Sequence, residues 1–220
     1  RTERPEENGM AHFLEHLVFK GGEKYDDYRK VNETAERMGG SLNAYTSHDL
    51  VAFHITVRAE AALEAIDLLT DFVGRPKLDA EELDRERGVV IQEIARSNDQ
   101  PSVVAEHLID RAAFGDHPLG RPVLGPEEHQ RTFTREAIVE FRTRQWAGAR
   151  GGAFLVGNLD SLPDDARVWI FGSTRALDDN EADAGSTGIR YGAIRAAASG
   201  GAVSVPELAQ TGAVDIFGMG

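Results

Sequence analysis

Between residues 10 and 72 the apolar residues change their spacing twice, and this constrains the fold more than any other feature of the sequence. Residues 10–20 carry Phe13, Leu14, Leu17, Val18 and Phe19 at helical spacing, and Gly21-Gly22 stops the helix. A second helix spans residues 25–38, with Tyr28, Val31, Ala35 and Met38 three or four apart and Gly39-Gly40 at its end. The period then becomes two. Residues 41–46 and 50–58 read as strands, the second alternating Val51, Phe53, Ile55 and Val57 with Ala52, His54 and Thr56. Ser47-His48-Asp49 makes the turn of a hairpin whose apolar side faces the helices. Helical period returns over residues 60–72, with Leu63, Ile66, Leu69 and Phe72 on one stripe.

Gly74, Arg75 and Pro76 break that helix, and Asp79 followed by Glu82 has the form of an N-cap with an acidic third position. The helix it opens runs to Arg96. Another spans residues 101–113, residues 114–126 form a Gly- and Pro-rich loop, and Thr134 caps a helix through Trp146 with Ile138 and Phe141 inward. Residues 152–157 read as a short apolar strand. Beyond Asp160 the pattern dissolves. Residues 178–188 are acidic and small, 196–203 are mostly Ala, Gly and Ser, and only short runs such as 168–171 keep a period. The chain thus divides into a folded unit, residues 1–160, and an unassigned tail, residues 161–220, whose composition favours poor order.

Composition removes several classes of function. With 24 Lys and Arg against 37 Asp and Glu, the net charge is −13, which argues against coating nucleic acid. There is no cysteine, so disulfides, thiolate metal sites and cysteine nucleophiles are excluded; the lean is to the cytoplasm. No window is long and apolar enough for a membrane span. The first residue is Arg1, which reads as the start of a fragment or processed piece.

The chemistry centres on His12-Phe-Leu-Glu15-His16. On a helix, residues four apart differ by about 40° in direction, so His12 and His16 can reach one metal ion from adjacent turns. Glu15 stands about 60° to the other side of His12, within reach of a metal-bound water. This HxxEH order is the reverse of HExxH, the inverzincin pattern. Chance produces it roughly once in fifty chains of this composition, so the motif alone leaves open a helix with two exposed histidines and a solvated Glu.

A catalytic zinc site needs a third protein ligand and one open position. Glu93, on a separate long helix, is the best candidate. Glu86, seven residues earlier, shares its face to within about 20°. Two carboxylates on the inward side of an amphipathic helix need a compensating cation. Arg87 could supply it as an ordinary salt bridge, and a metal could supply it instead.

Four segments in this order, GMAHFLEHLVFKG, GGSLNAYTSHD, ERGVVIQEI and GDHPLGRPVLG, resemble the pitrilysin/insulinase family of zinc metallopeptidases, and most of all its processing-peptidase-like branch. The resemblance covers residues 2–160. It implies an α+β fold, a two-layer sandwich of helices packed on a largely antiparallel sheet. It implies one zinc held by His12, His16 and Glu93, with Glu15 as general base and Glu86 supporting catalysis. It implies that the substrate is an extended peptide or unfolded segment added as a β-strand along Asn43, Ala44 and Tyr45. It further implies that strands before the metal helix, and a second homologous domain or subunit closing the cleft, lie outside this sequence. Arg190-Tyr191 does not match the family's second-domain Arg/Tyr pair.

The leading expectation is therefore a zinc metalloendopeptidase. The alternatives are a non-catalytic peptide-holding scaffold, an inactive fragment, or a metal-binding domain without turnover. Retention of His12, Glu15, His16 and Glu93 favours the enzyme. Among the other histidines, His54 reads as packed or surface, His48 as a solvated turn residue, His107 and His129 as surface, and His117 as part of a structural loop. Phe141 and Trp146 read as core.

Overall fold

The computed structural model describes residues 1–147, 167–173 and 189–195. Helix α1 (Met10–Val18) is followed by α2 (Tyr28–Arg37), strands β1 (Ser41–Thr46) and β2 (Val51–Thr56), and helices α3 (Ala62–Gly74), α4 (Ala80–Asn98), α5 (Pro101–Phe114), α6 (Glu127–Thr132) and α7 (Arg135–Arg142). Strands β3 (Arg167–Ser173) and β4 (Ile189–Arg195) pair antiparallel, Arg167 opposite Arg195. The expected strand over residues 152–157 lies outside the described residues.

Capping follows the sequence closely. Asp27 accepts from the Lys30 amide, Asp79 from Glu81 and Thr134 from Ala137, each starting its helix. Helix α2 begins three residues later than its apolar spacing suggests, because Asp27 caps it and the Tyr25 carbonyl is taken by the Gly22 amide. Helix α6 has no counterpart in the sequence reading; it is short and polar, and only Gln130 in it is buried.

Helix α1 is the centre of the core. Phe13, Leu14 and Val18 are wholly buried and Leu17 and Met10 nearly so. Each such side chain contributes about 2–3 kcal/mol by leaving water. Around α1 pack Val31, Ala35 and Met38, then Leu68 and Phe72 of α3, Val90 and Ile94 of α4, and Ile138 and Phe141 of α7. The hairpin pairs Leu42 with Ile55 and Ala44 with Phe53, and Leu42, Phe53 and Ile55 turn toward this core. Phe53 meets Phe19, Phe72 and Trp146, with ring centroids 5.8, 6.2 and 5.8 Å away. Phe141 and Trp146 are thus core residues, as read from the sequence.

Two expectations change. The described strands form two separate two-stranded antiparallel sheets, and helices predominate; the two-layer arrangement is seen where α1, α2 and α3 back the β1–β2 ribbon. On α3 the buried stripe is Ala62, Ala65, Leu68 and Phe72, with Leu63, Ile66 and Leu69 half-buried. The helix is rotated by one residue because Asp71, fully buried, must face inward: its carboxylate accepts from the Lys24 and Tyr25 amides and from Arg75.

Candidate metal centre

Helix α1 presents His12 and His16 on successive turns, ring centroids 4.7 Å apart. Helix α4 packs beside α1 and presents Glu93 to both. Glu93 Oε2 stands 3.7 Å from His12 Nε2 and 3.4 Å from His16 Nε2. These three side chains form a group of potential ligand atoms lying within 4.8 Å of one another. Zinc–ligand bonds of about 2.0–2.1 Å in tetrahedral geometry place neighbouring donors about 3.3–3.4 Å apart, so the separations suit zinc after small adjustment. Two imidazoles and one carboxylate also leave the fourth position open.

Glu15 occupies the turn between the histidines and is buried. Its Oε2 accepts a hydrogen bond from the Thr46 hydroxyl at the end of β1. Burial raises the Glu15 pKa, against the opposing effect of the Thr46 hydrogen bond. Glu86 lies two turns before Glu93 and its Oε2 is 3.2 Å from His16 Nδ1. Its other oxygen is 2.7 Å from Lys20 Nζ. Burial pushes the Glu86 pKa up, but His16 and Lys20 outweigh it and the net shift is downward.

The two histidines differ sharply. Burial and the neighbouring His16 lower the His12 pKa to about 4, with Glu93 opposing. Burial also disfavours the charged form of His16, yet Glu86 and Glu93 together raise its pKa to about 9. The hydrogen bond from His16 lowers the Glu93 pKa despite its burial. The carboxylates of α4 thus draw positive charge into this site even without a metal.

Arg87 is not the cation that compensates Glu86. It turns the other way, donating to the carbonyls of Gln130 and Phe133. Lys20 takes that place, a pairing that no local pattern in the sequence singles out.

A cleft of about 600 Å³ opens over these side chains, lined by Glu15, Ala44, Tyr45, Thr46 and Arg121 among others. Asn43, Ala44 and Tyr45 lie on β1, whose only strand neighbour among the described residues is β2. Tyr45 is exposed, and the Asn43 side chain accepts from the Ala44 amide. His48 departs from its solvated reading: it lines the cleft, with Nε2 2.9 Å from the Arg121 carbonyl oxygen. His107 lines it too, His54 is exposed, and His117 caps a short 3-10 turn by accepting from the Leu119 amide.

The family described as "Insulinase (Peptidase family M16)" matches residues 1–127. The chain is 36% identical over 177 residues to an uncharacterised zinc protease of Bacillus subtilis, covering 80% of this chain and 43% of that protein. It is 35% identical over 148 residues to the β subunit of the mitochondrial-processing peptidase of Dictyostelium discoideum, covering 67% and 32%. Among solved structures, a protease from Helicobacter pylori superposes with a TM-score of 0.60 at 27% identity, covering 64% of this chain and 34% of that one. The chain spans less than half the length of these relatives.

Proposed function

The chain belongs to the insulinase family, peptidase family M16, and to its processing-peptidase-like branch, and on that premise we propose that it is the metal-bearing part of a zinc metalloendopeptidase acting on extended peptides. The observation that carries this reading is the convergence of His12, His16 and Glu93 from two helices, with Glu15 beside them at the cleft.

In this reading Nε2 of His12, Nε2 of His16 and Glu93 would hold one zinc, which when bound would make water more acidic and polarise the peptide carbonyl. Thr46 occupies Oε2 of Glu15, which leaves Oε1 to take a proton from the attacking water and pass it to the leaving amine. Glu86 accepts from Nδ1 of His16 and keeps its Nε2 facing Glu93. The edge of β1 that no described strand pairs, at Asn43, Ala44 and Tyr45, pairs with the substrate backbone, a mode that tolerates varied side chains.

Because the chain spans less than half of its relatives, a second homologous domain or subunit closing the cleft belongs to the proposal. The test is peptide cleavage alongside zinc content. Glu15→Gln is expected to abolish cleavage while zinc stays bound, and retained turnover would remove Glu15 as the base. No cleavage by the wild-type chain, alone or with the remaining half supplied, would favour the non-catalytic alternative.

A further inference from the structure

We propose that Lys20 is a positioning residue of the metal centre, acting through Glu86 on His16. The proposal rests on the zinc reading above and adds to it a residue outside the ligand set.

The two oxygens of Glu86 are divided between two partners. Oε1 meets Lys20 Nζ at 2.7 Å, and Oε2 meets His16 Nδ1 at 3.2 Å. Neither end of this relay is loosely solvated: the side chains of Lys20 and Glu86 are 16% and 9% exposed. The ammonium group is further fixed by the Tyr28 ring, whose centroid lies 4.6 Å away. A carboxylate held at both oxygens cannot swing. Its Oε2 therefore fixes the plane of the His16 ring and reserves Nδ1 for hydrogen bonding, which leaves Nε2 to face Glu93 at 3.4 Å.

The other histidine has no such support. Among the described residues, His12 Nδ1 is buried without a hydrogen-bond partner. Ligating histidines ordinarily donate their second nitrogen to a carboxylate or carbonyl, and losing that partner weakens metal binding by about 10–100-fold. Among the described residues, His16 is the histidine of this centre given such a partner, through the Lys20–Glu86–His16 relay. A lysine that only stabilised the fold would act on α1 and α4 packing whether or not Glu86 carried charge.

The experiment is a chelator-competition zinc titration of the chain and four variants, with thermal melts of each metal-free form. Lys20→Met is expected to weaken zinc binding about tenfold, and Glu86→Gln at least as much. In the Glu86→Gln background, Lys20→Met is expected to cost nothing further, because the relay is already broken. This comparison decides the matter even where Lys20→Met alone folds poorly, since the double variant leaves no unpaired carboxylate. Wild-type zinc affinity in a folded Lys20→Met chain, or a further loss in the Glu86→Gln background, overturns the proposal while leaving the metal site standing. A wild-type chain that takes up no zinc, or a His16→Ala variant that keeps it stoichiometrically, overturns the metal reading and this proposal with it.

Discussion

The hydroxyl of Thr46 donates to Oε2 of Glu15, joining the last residue of β1 to the helix that carries both histidines. One contact thereby ties the strand proposed to hold substrate to the carboxylate proposed to move the proton. Thr46→Val keeps the shape and removes the donor. It is expected to lower kcat about tenfold, the equivalent of about 1.4 kcal/mol, with zinc content unchanged. Steady-state kinetics on a peptide substrate would show it, and an unaltered kcat would mean that Glu15 is positioned by packing alone.

Metal removal should also be visible in stability. Zinc held as proposed would join residues far apart in sequence, His16 and Glu93, that the unfolded chain does not hold together. Free zinc at one hundred times its dissociation constant should add about 2.7 kcal/mol. Calorimetric melts with zinc and with excess chelator are expected to differ accordingly, and His16→Ala should melt at the same temperature in both.

Asp71 offers a prediction away from the metal. It is fully buried on α3 and its carboxylate accepts from the Lys24 amide at 3.0 Å, the Tyr25 amide at 2.9 Å and Arg75 Nη2 at 2.8 Å. Asp71→Ala leaves the buried Tyr25 amide and the part-buried Lys24 amide without this acceptor and is expected to cost about 3 kcal/mol in urea unfolding. A loss below 1 kcal/mol would mean that the turn before α2 is held by other contacts.

Most helices, the hairpin and its register face were legible because their signals are local: Asp79 and Thr134 cap where an N-cap residue stands, and Phe53 and Ile55 alternate as a half-buried strand must. The pairing of His12 and His16 was legible because the two share one helix face, whereas Glu93 stood as a candidate that the family resemblance joined to them. What escaped depends on contacts distant in sequence. Nothing local marks Asp71 for burial; the amides of Lys24 and Tyr25 that it accepts from lie more than forty residues away in sequence. Lys20 and Arg87 cannot be told apart as partners of Glu86 without the direction in which each side chain leaves its helix. Helix α6 has no apolar period, since Gln130 is its only buried residue.

Three glycines give predictions of opposite sign. Gly9 precedes α1 at φ +97°, and a Cβ there would lie 2.4 Å from the Leu124 carbonyl oxygen and 2.5 Å from Gln130 Nε2. Gly125, at φ +67°, would bring one within 2.2 Å of the Asn8 carbonyl oxygen. These two glycines let the start of α1 lie directly against the loop before α6, which fixes where His12 emerges. Gly9→Ala and Gly125→Ala are each expected to cost about 2 kcal/mol or more, from backbone strain and the clash together, and to weaken zinc binding as α1 shifts. Gly88 lies in the interior of α4, where an added Cβ meets nothing within 4 Å. There alanine restores helix propensity, so Gly88→Ala is expected to stabilise by about 0.5–1 kcal/mol without changing zinc affinity. Urea midpoints for the three variants should therefore fall on both sides of the wild type, and a Gly9→Ala chain as stable as its parent would contradict the close approach of α1 to Leu124.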